Sequence, residues 1–101
     1  MVIQGEKKTI KLISWGPVLG STALGLEVWQ EIKKTLLEKP EAIILDFSKI
    51  RTVTGAFVLE CFGKLLDELG PEIIQQRIVL QNANISTISL IPKIIEKYKK
   101  K

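Results

Sequence analysis

Apolar residues follow three patterns along the chain, and each pattern predicts a different kind of element. The unbroken run from Ala42 to Leu45 is typical of a strand in the middle of a parallel sheet, where both faces are buried. Residues 7–13 alternate in polarity, and residues 77–81 contain an apolar centre, so both segments are predicted strands. Val2-Ile3 is a candidate for one more strand at the edge of the sheet.

Three longer segments repeat their apolar residues at helical spacing. The first predicted helix runs from about Thr22 to Lys39 and ends before a proline, which disfavours helical geometry in the preceding residue. The second spans about Gly55 to Leu69 and ends at Gly70-Pro71, a strong stop signal. The third begins after Asn84, a good N-cap. We expect a break or kink near Pro92, because proline inside a helix removes a hydrogen bond.

The order strand, helix, strand, helix, strand, helix predicts an α/β fold with parallel strand pairs and right-handed crossovers. A chain of 101 residues forms one domain with a single core. Since 46% of the residues are hydrophobic but only 6% are aromatic, that core must be mainly aliphatic. The residues predicted to face it from the first two helices are Leu24, Val28, Trp29, Ile32, Leu36, Val58, Phe62, Leu65, Leu66 and Leu69.

The loop between the central strand and the second helix is where we expect a functional site. In open α/β sheets, ligands and partners bind just outside the carboxyl ends of the strands. Asp46 stands at that strand end, and we expect it to organise the turn by accepting amide hydrogen bonds rather than to catalyse. The candidate partner-binding residues of this loop are Ser48, Lys49, Arg51, Thr52, Thr54 and Gly55.

A second loop, from Trp15 to Thr22, precedes the first helix. Glycine-containing loops in this position can bind phosphate through backbone amides. Its candidate anion- or ligand-binding residues are Gly16, Gly20, Ser21 and Thr22. The glycine spacing matches neither a Walker loop nor a dinucleotide fingerprint, so an N-cap at Ser21 or Thr22 is the simpler interpretation. Trp15 is a candidate partner contact.

The net charge of +4 does not predict a nucleic-acid partner. Residues 93–101 hold five lysines and one glutamate, which accounts for the whole net charge, and the rest of the chain is neutral. A nucleic-acid surface needs basic residues spread over one face with aromatic residues between them. We therefore expect a protein partner, with a homodimer through an edge strand as a further option.

The composition argues against an enzyme, a metal site or a cofactor. The chain has no histidine, which is the commonest catalytic base and metal ligand, and a single cysteine, Cys61. Without a base, Cys61 is better explained as a small apolar filler. A lone cysteine cannot form an internal disulfide, which favours a cytoplasmic location. No apolar run approaches the roughly 18 residues that span a membrane, and residues 1–8 lack signal-peptide order.

The segment LDFSKIRTVTGAF resembles the central strand-loop-helix signature of STAS domains. The continuation AFVLECFGKLLDELG is similar to a bacterial STAS-like subfamily related to anti-sigma factor antagonists. The matching positions there are Phe57, Glu60, Phe62, Gly63, Lys64 and Leu65. The resemblance covers roughly residues 7–98. It implies a mixed sheet of about four strands with helices mainly on one face, and a regulatory module that binds a histidine-kinase-like ATPase.

The resemblance also implies a phosphorylation switch, and this chain departs from it. Antagonist-type STAS domains are switched by phosphorylation of a hydroxyl at the start of the second helix. The corresponding positions here are Gly55 and Ala56, which have no hydroxyl. Thr54 is the nearest possible phosphosite, although an N-cap is its simpler role. The alternative function is a small-ligand or nucleotide sensor that uses the Gly16–Thr22 loop.

Overall fold

The computed structural model describes residues 6–99, except for the side chains of residues 86, 94, 95 and 97–99. In chain order the elements are β1 (Lys7–Lys11), a 3₁₀ turn (Leu12–Trp15), β2 (Val18–Leu19), α1 (Thr22–Leu36), β3 (Ala42–Asp46), β4 (Thr52–Val53), α2 (Gly55–Leu69), α3 (Pro71–Arg77), β5 (Ile78–Gln81) and α4 (Ile85–Lys99). The strand suggested at Val2-Ile3 lies outside the described residues.

The main sheet is parallel and has three strands in the order β1-β3-β5, which confirms the central position of β3. β2 and β4 form a separate pair, which is also parallel. The α/β class and the STAS-like architecture are therefore confirmed. The resemblance implied a single mixed sheet of about four strands. The structure instead has a sheet of three parallel strands and a separate pair of short parallel strands. The main strands are parallel because a helix-containing crossover joins each one to the next.

The main sheet has one buried face and one open face. The side chains on the buried face include Ile10, Ile43, Leu45 and Ile78, which are all 8% exposed or less. On the opposite face Thr9 is exposed, Ile44 is half-buried and Val79 is 45% exposed. The expectation that β3 is buried on both faces is thus wrong for the face that carries Ile44. In the part of the chain that the structure describes, the buried side chains of the helices pack in one cluster with Ile10, Ile43, Leu45 and Ile78.

The helices α1, α2 and α4 pack side by side, with α2 in the middle. Of the ten core positions predicted from the first two helices, seven are buried, and Leu24, Leu36 and Leu69 are half-buried against the same core. Trp29 is 6% exposed, which confirms it as a core residue. No helix that the structure describes is long and apolar enough to cross a membrane.

The end of α1 differs from the predicted one, and the structure contains one helix, α3, that was not predicted. α1 ends at Leu36, since Lys39 adopts a left-handed φ of 55° just before the buried Pro40. α3 was not predicted, because Gly70-Pro71 is a stop signal and a start signal at once. Gly70 ends α2 with a φ of 81°, and Pro71 is suited to the first helical position that follows.

Of the two alternatives predicted near Pro92, the break is wrong, and the kink stays a prediction. α4 continues through Pro92 from Ile85 to Lys99. Proline has no amide hydrogen, so the helix loses the hydrogen bond that position 92 would donate to the carbonyl of Ile88. The other hydrogen bonds of the helix hold it together despite that loss.

Candidate functional site

The two loops nominated from the sequence meet at one corner of the molecule, because their short strands pair. The Arg51 amide donates to the Pro17 carbonyl at 2.7 Å, and the Thr54 amide donates to the Leu19 carbonyl at 3.0 Å. Leu19 is wholly buried and anchors the first loop to the core. We call residues 15–22, residues 48–56 and the first turn of α2 the corner.

Both helices that begin at the corner are capped by hydroxyl groups. The Thr54 hydroxyl accepts a hydrogen bond from the Phe57 amide at 3.3 Å and donates to the Leu19 carbonyl at 3.5 Å. Ser21 accepts from the Leu24 amide at 3.1 Å. The N-cap role predicted for Thr54 is confirmed, and Ser21 rather than Thr22 caps α1. The positive ends of two helix dipoles therefore lie at the corner.

The remaining candidate residues of the corner differ in exposure. Lys49, Arg51 and Thr52 are exposed, whereas Ser48, Thr54 and Gly55 are half-buried. Gly20, Ser21 and Thr22 are exposed on the neighbouring loop, and Gly16 adopts a φ of 97° at its start. Trp15 is half-buried and packs against the core. The structure thus brings the two candidate sets together, and their binding roles stay predictions.

Two apolar side chains that the sequence did not nominate also belong to this region. Val18 on β2 is 51% exposed, and Leu59, one turn into α2, is 48% exposed. The exposure of Leu59 could have been predicted from the sequence, because the helical repeat places it off the buried stripe of α2. Val18 gave no signal, because a two-residue strand is too short to show a periodicity. Exposed apolar groups beside polar ones are typical of interaction surfaces.

Asp46 ties the loop after β3 to the loop after β5. Its Oδ1 accepts from the Ser48 amide at 2.9 Å, the Ser48 hydroxyl at 2.6 Å and the Asn82 side-chain amide at 3.0 Å. The Asn82 side-chain amide also donates to the Ser48 hydroxyl oxygen at 2.8 Å. These bonds, with the one from Asn82 first, lower the pKa of Asp46 from 3.8 to about 2. The turn-organising role predicted for Asp46 is confirmed.

Asn82 is a residue of this cluster that the sequence did not single out. It follows β5, and only the pairing of β3 with β5 brings it next to Asp46. Asn82 and Lys49 both have a left-handed backbone, with φ values of 60° and 68°. Asparagine tolerates this geometry better than most residues, and that was the only local signal.

The Asp46 cluster predicts a pH-dependent contribution to stability. Because the folded-state pKa is lowered, the stabilising effect is fully present above pH 3.8 and is lost as the pH falls towards about 2. We expect Asp46→Ala to lower the free energy of unfolding at pH 7, and this difference from the wild type should shrink between pH 4 and pH 2. Urea denaturation across this range measures it, with Glu27→Ala on exposed α1 surface as the control for losing one carboxylate. A difference that stays constant over the range would contradict the assignment.

Cys61 is not available for chemistry at the corner. It is 1% exposed, and burial followed by the nearby Glu60 charge raises the pKa of its thiol from 9.0 to about 12. The prediction that it fills the core is confirmed. The Glu60 carboxylate pairs with Lys64 at 3.4 Å. Among the residues that the structure describes, no group of three or more acidic or cysteine side chains could hold a metal ion.

Comparison with known families gives one finding. A family model described as "STAS-like domain of unknown function (DUF4325)" matches residues 25–87. The match includes most of α1, the loop after β3, all of α2 and β5, but not the 15–22 loop. Neither the curated proteins nor the solved structures include a match to this chain.

Proposed function

The chain belongs to the STAS-like domain family, and on that basis we propose that it is a regulatory module that binds a protein partner through the corner. The partner we propose is a histidine-kinase-like ATPase of the cytoplasm, the class bound by the related anti-sigma factor antagonists. The module carries out no reaction of its own. The lack of any histidine and the burial of Cys61 support this part of the proposal.

The observation that carries the proposal is the pairing of β2 with β4. It joins two loops whose paired residues, Val18 and Thr52, are 34 positions apart in the sequence into one surface beside the start of α2. That surface presents the apolar side chains of Val18 and Leu59 together with the exposed Arg51. Arginine is enriched in protein interfaces, whose buried centres are apolar, and the pairing places Val18 opposite Thr52, the residue after Arg51.

Binding of the partner is proposed not to require phosphorylation at the start of α2. The Thr54 hydroxyl already accepts from the Phe57 amide and is half-buried, so its phosphorylation would displace the cap. Thr54→Glu mimics the added negative charge and also removes the cap. Thr54→Ser keeps the hydroxyl cap and serves as its control.

The test is co-purification with each histidine-kinase-like ATPase of the same cell, followed by titration of any that binds. We expect Arg51→Ala to weaken binding at least about fivefold, which is the loss of a contact worth about 1 kcal/mol. Arg77→Ala removes another exposed arginine, at the end of α3 and outside the corner, and should change the affinity less than twofold. Unchanged affinity in both Arg51→Ala and Thr54→Glu would exclude the corner as the binding surface.

A further inference from the structure

We infer that the open face of the main sheet carries a second site, which binds a phosphate group that retains a proton. This site is a cleft of about 170 Å³ lined by Lys11, Ile13, Asp46, Ser48 and Lys49. The site shares Ser48 and Lys49 with the corner and adds a ligand to the proposed function, but phosphate binding can be tested without the protein partner. The argument rests on the position of the cleft, its charge and the hydrogen bonds of Asp46.

The cleft lies where parallel sheets bind ligands. Lys11 and Asp46 are directly paired at the carboxyl ends of β1 and β3. By strand alternation they share the face of Thr9 and Ile44, which the helices leave uncovered. Pockets for whole organic ligands usually measure about 300–1,000 Å³. A cleft of about 170 Å³ fits a single anionic group better than a nucleotide.

The charges of the cleft favour an anion. Lys11 and Lys49 are both exposed, and neither forms a salt bridge with a residue that the structure describes. Two ammonium groups face one carboxylate, so the lining has a net positive charge. Lys49 extends from a turn whose geometry is fixed by the hydrogen bonds between Ser48 and Asp46. The backbone of Lys49 is thereby held beside Asp46, and both ammonium groups line the same cleft.

Asp46 decides which oxyanion fits. Its Oδ1 already accepts three hydrogen bonds, whereas Oδ2 accepts none from the described residues. An ionised carboxylate only accepts hydrogen bonds. A phosphate with one proton left can place its charged oxygens near the lysines and donate its O–H to Oδ2. Sulfate has no O–H, so its oxygen would be repelled by the carboxylate.

The test is a titration of the whole chain with inorganic phosphate at pH 6.5 and constant ionic strength. Amide NMR spectra recorded at each phosphate concentration monitor the binding. We expect saturable shifts of the Lys11, Ser48 and Lys49 amides with phosphate, and at least about fivefold weaker binding of sulfate. Equal, unsaturated shifts with phosphate, sulfate and chloride would overturn the inference. A parallel titration with O-phosphoserine is run at pH 5, below the second pKa of about 6 of a phosphate ester, so that the ester retains one proton. It distinguishes a site that also takes an esterified phosphate, which would give the same shifts, from a site that takes only the free ion.

Variants locate the site and separate it from the partner surface. Lys11→Gln and Lys49→Asn should each weaken phosphate binding about two- to fivefold, as expected for the loss of one exposed ionic contact. Asparagine tolerates the left-handed backbone at position 49. Lys7→Gln removes an equal charge from the same strand and face, about 13 Å away, and should change binding less than twofold. An equal loss in Lys7→Gln and Lys11→Gln would indicate a general ionic effect and overturn the site.

Lys11→Gln should leave the ATPase affinity unchanged, so the failure of one proposal does not imply failure of the other.

Discussion

Replacing Phe57 with alanine should lower the free energy of unfolding by about 3–5 kcal/mol, as expected for a large side chain removed from a core. Phe57 is 0% exposed and lies in the first turn of α2, inside the core that the helices form with the main sheet. Removing its ring leaves a cavity that close-packed neighbours cannot fill completely. Since whole domains are stable by only about 5–15 kcal/mol, this variant should retain a small margin of stability. Urea denaturation followed by circular dichroism measures the loss.

Leu59→Ala is the matched control on the same helix. Leu59 is two residues further along and is 48% exposed, so its truncation should cost less than about 1 kcal/mol. Similar losses at positions 57 and 59 would contradict the arrangement of α2, in which one face is buried and the other is exposed. The folded Leu59→Ala variant also tests whether this side chain contributes to partner binding.

Gly25→Val should destabilise the fold by about 3 kcal/mol, because α2 packs directly against position 25 of α1 and leaves no room for a side chain. A Cβ added at Gly25 would lie 2.9 Å from the Phe57 carbonyl oxygen and 2.9 Å from the Glu60 Cβ. Both atoms belong to or adjoin the backbone of α2, so the helices would have to move apart. The better helix propensity of valine offsets only a few tenths of a kcal/mol. Thermal and urea denaturation measure the change.

Gly55→Val provides the comparison, since a Cβ at Gly55 has no neighbour within 4 Å. We expect a change in unfolding free energy within about 0.5 kcal/mol at this position. If both valine variants are equally stable, α1 and α2 do not pack as closely as the structure describes. The two substitutions add the same side chain, so the difference between them isolates the helix contact.

The elements with a clear apolar pattern were predictable from the sequence, and those defined by register were not. α1, β3 and α2 are long enough to show their spacing, and the core role of Trp29 follows from the apolar stripe of α1. The core role of Cys61 followed instead from the absence of a histidine that could act as its base. β2 and β4 have two residues each, so only their pairing reveals them. The apolar run of β3 did not show that one face of this strand is open, and only the family resemblance implied helices mainly on one face of the sheet.

The candidate site was predictable as two separate loops but not as one surface. Its position followed from the general rule that sites lie beyond the carboxyl ends of strands. Asp46 could be assigned to its turn from local chemistry, whereas its bond to Asn82 spans 36 positions and depends on the pairing of β3 with β5. Thr54 combines both cases, since it is a local N-cap that also contacts Leu19 across the corner.

The most direct test of the proposed binding role is hydrogen exchange measured on the chain alone and in complex with a histidine-kinase-like ATPase that co-purifies with it. The account predicts slower exchange of the amides in residues 17–22 and 51–60, with the open face of the main sheet unchanged. Slower exchange confined to α4 or to the open sheet face, with the corner unaffected, would contradict it.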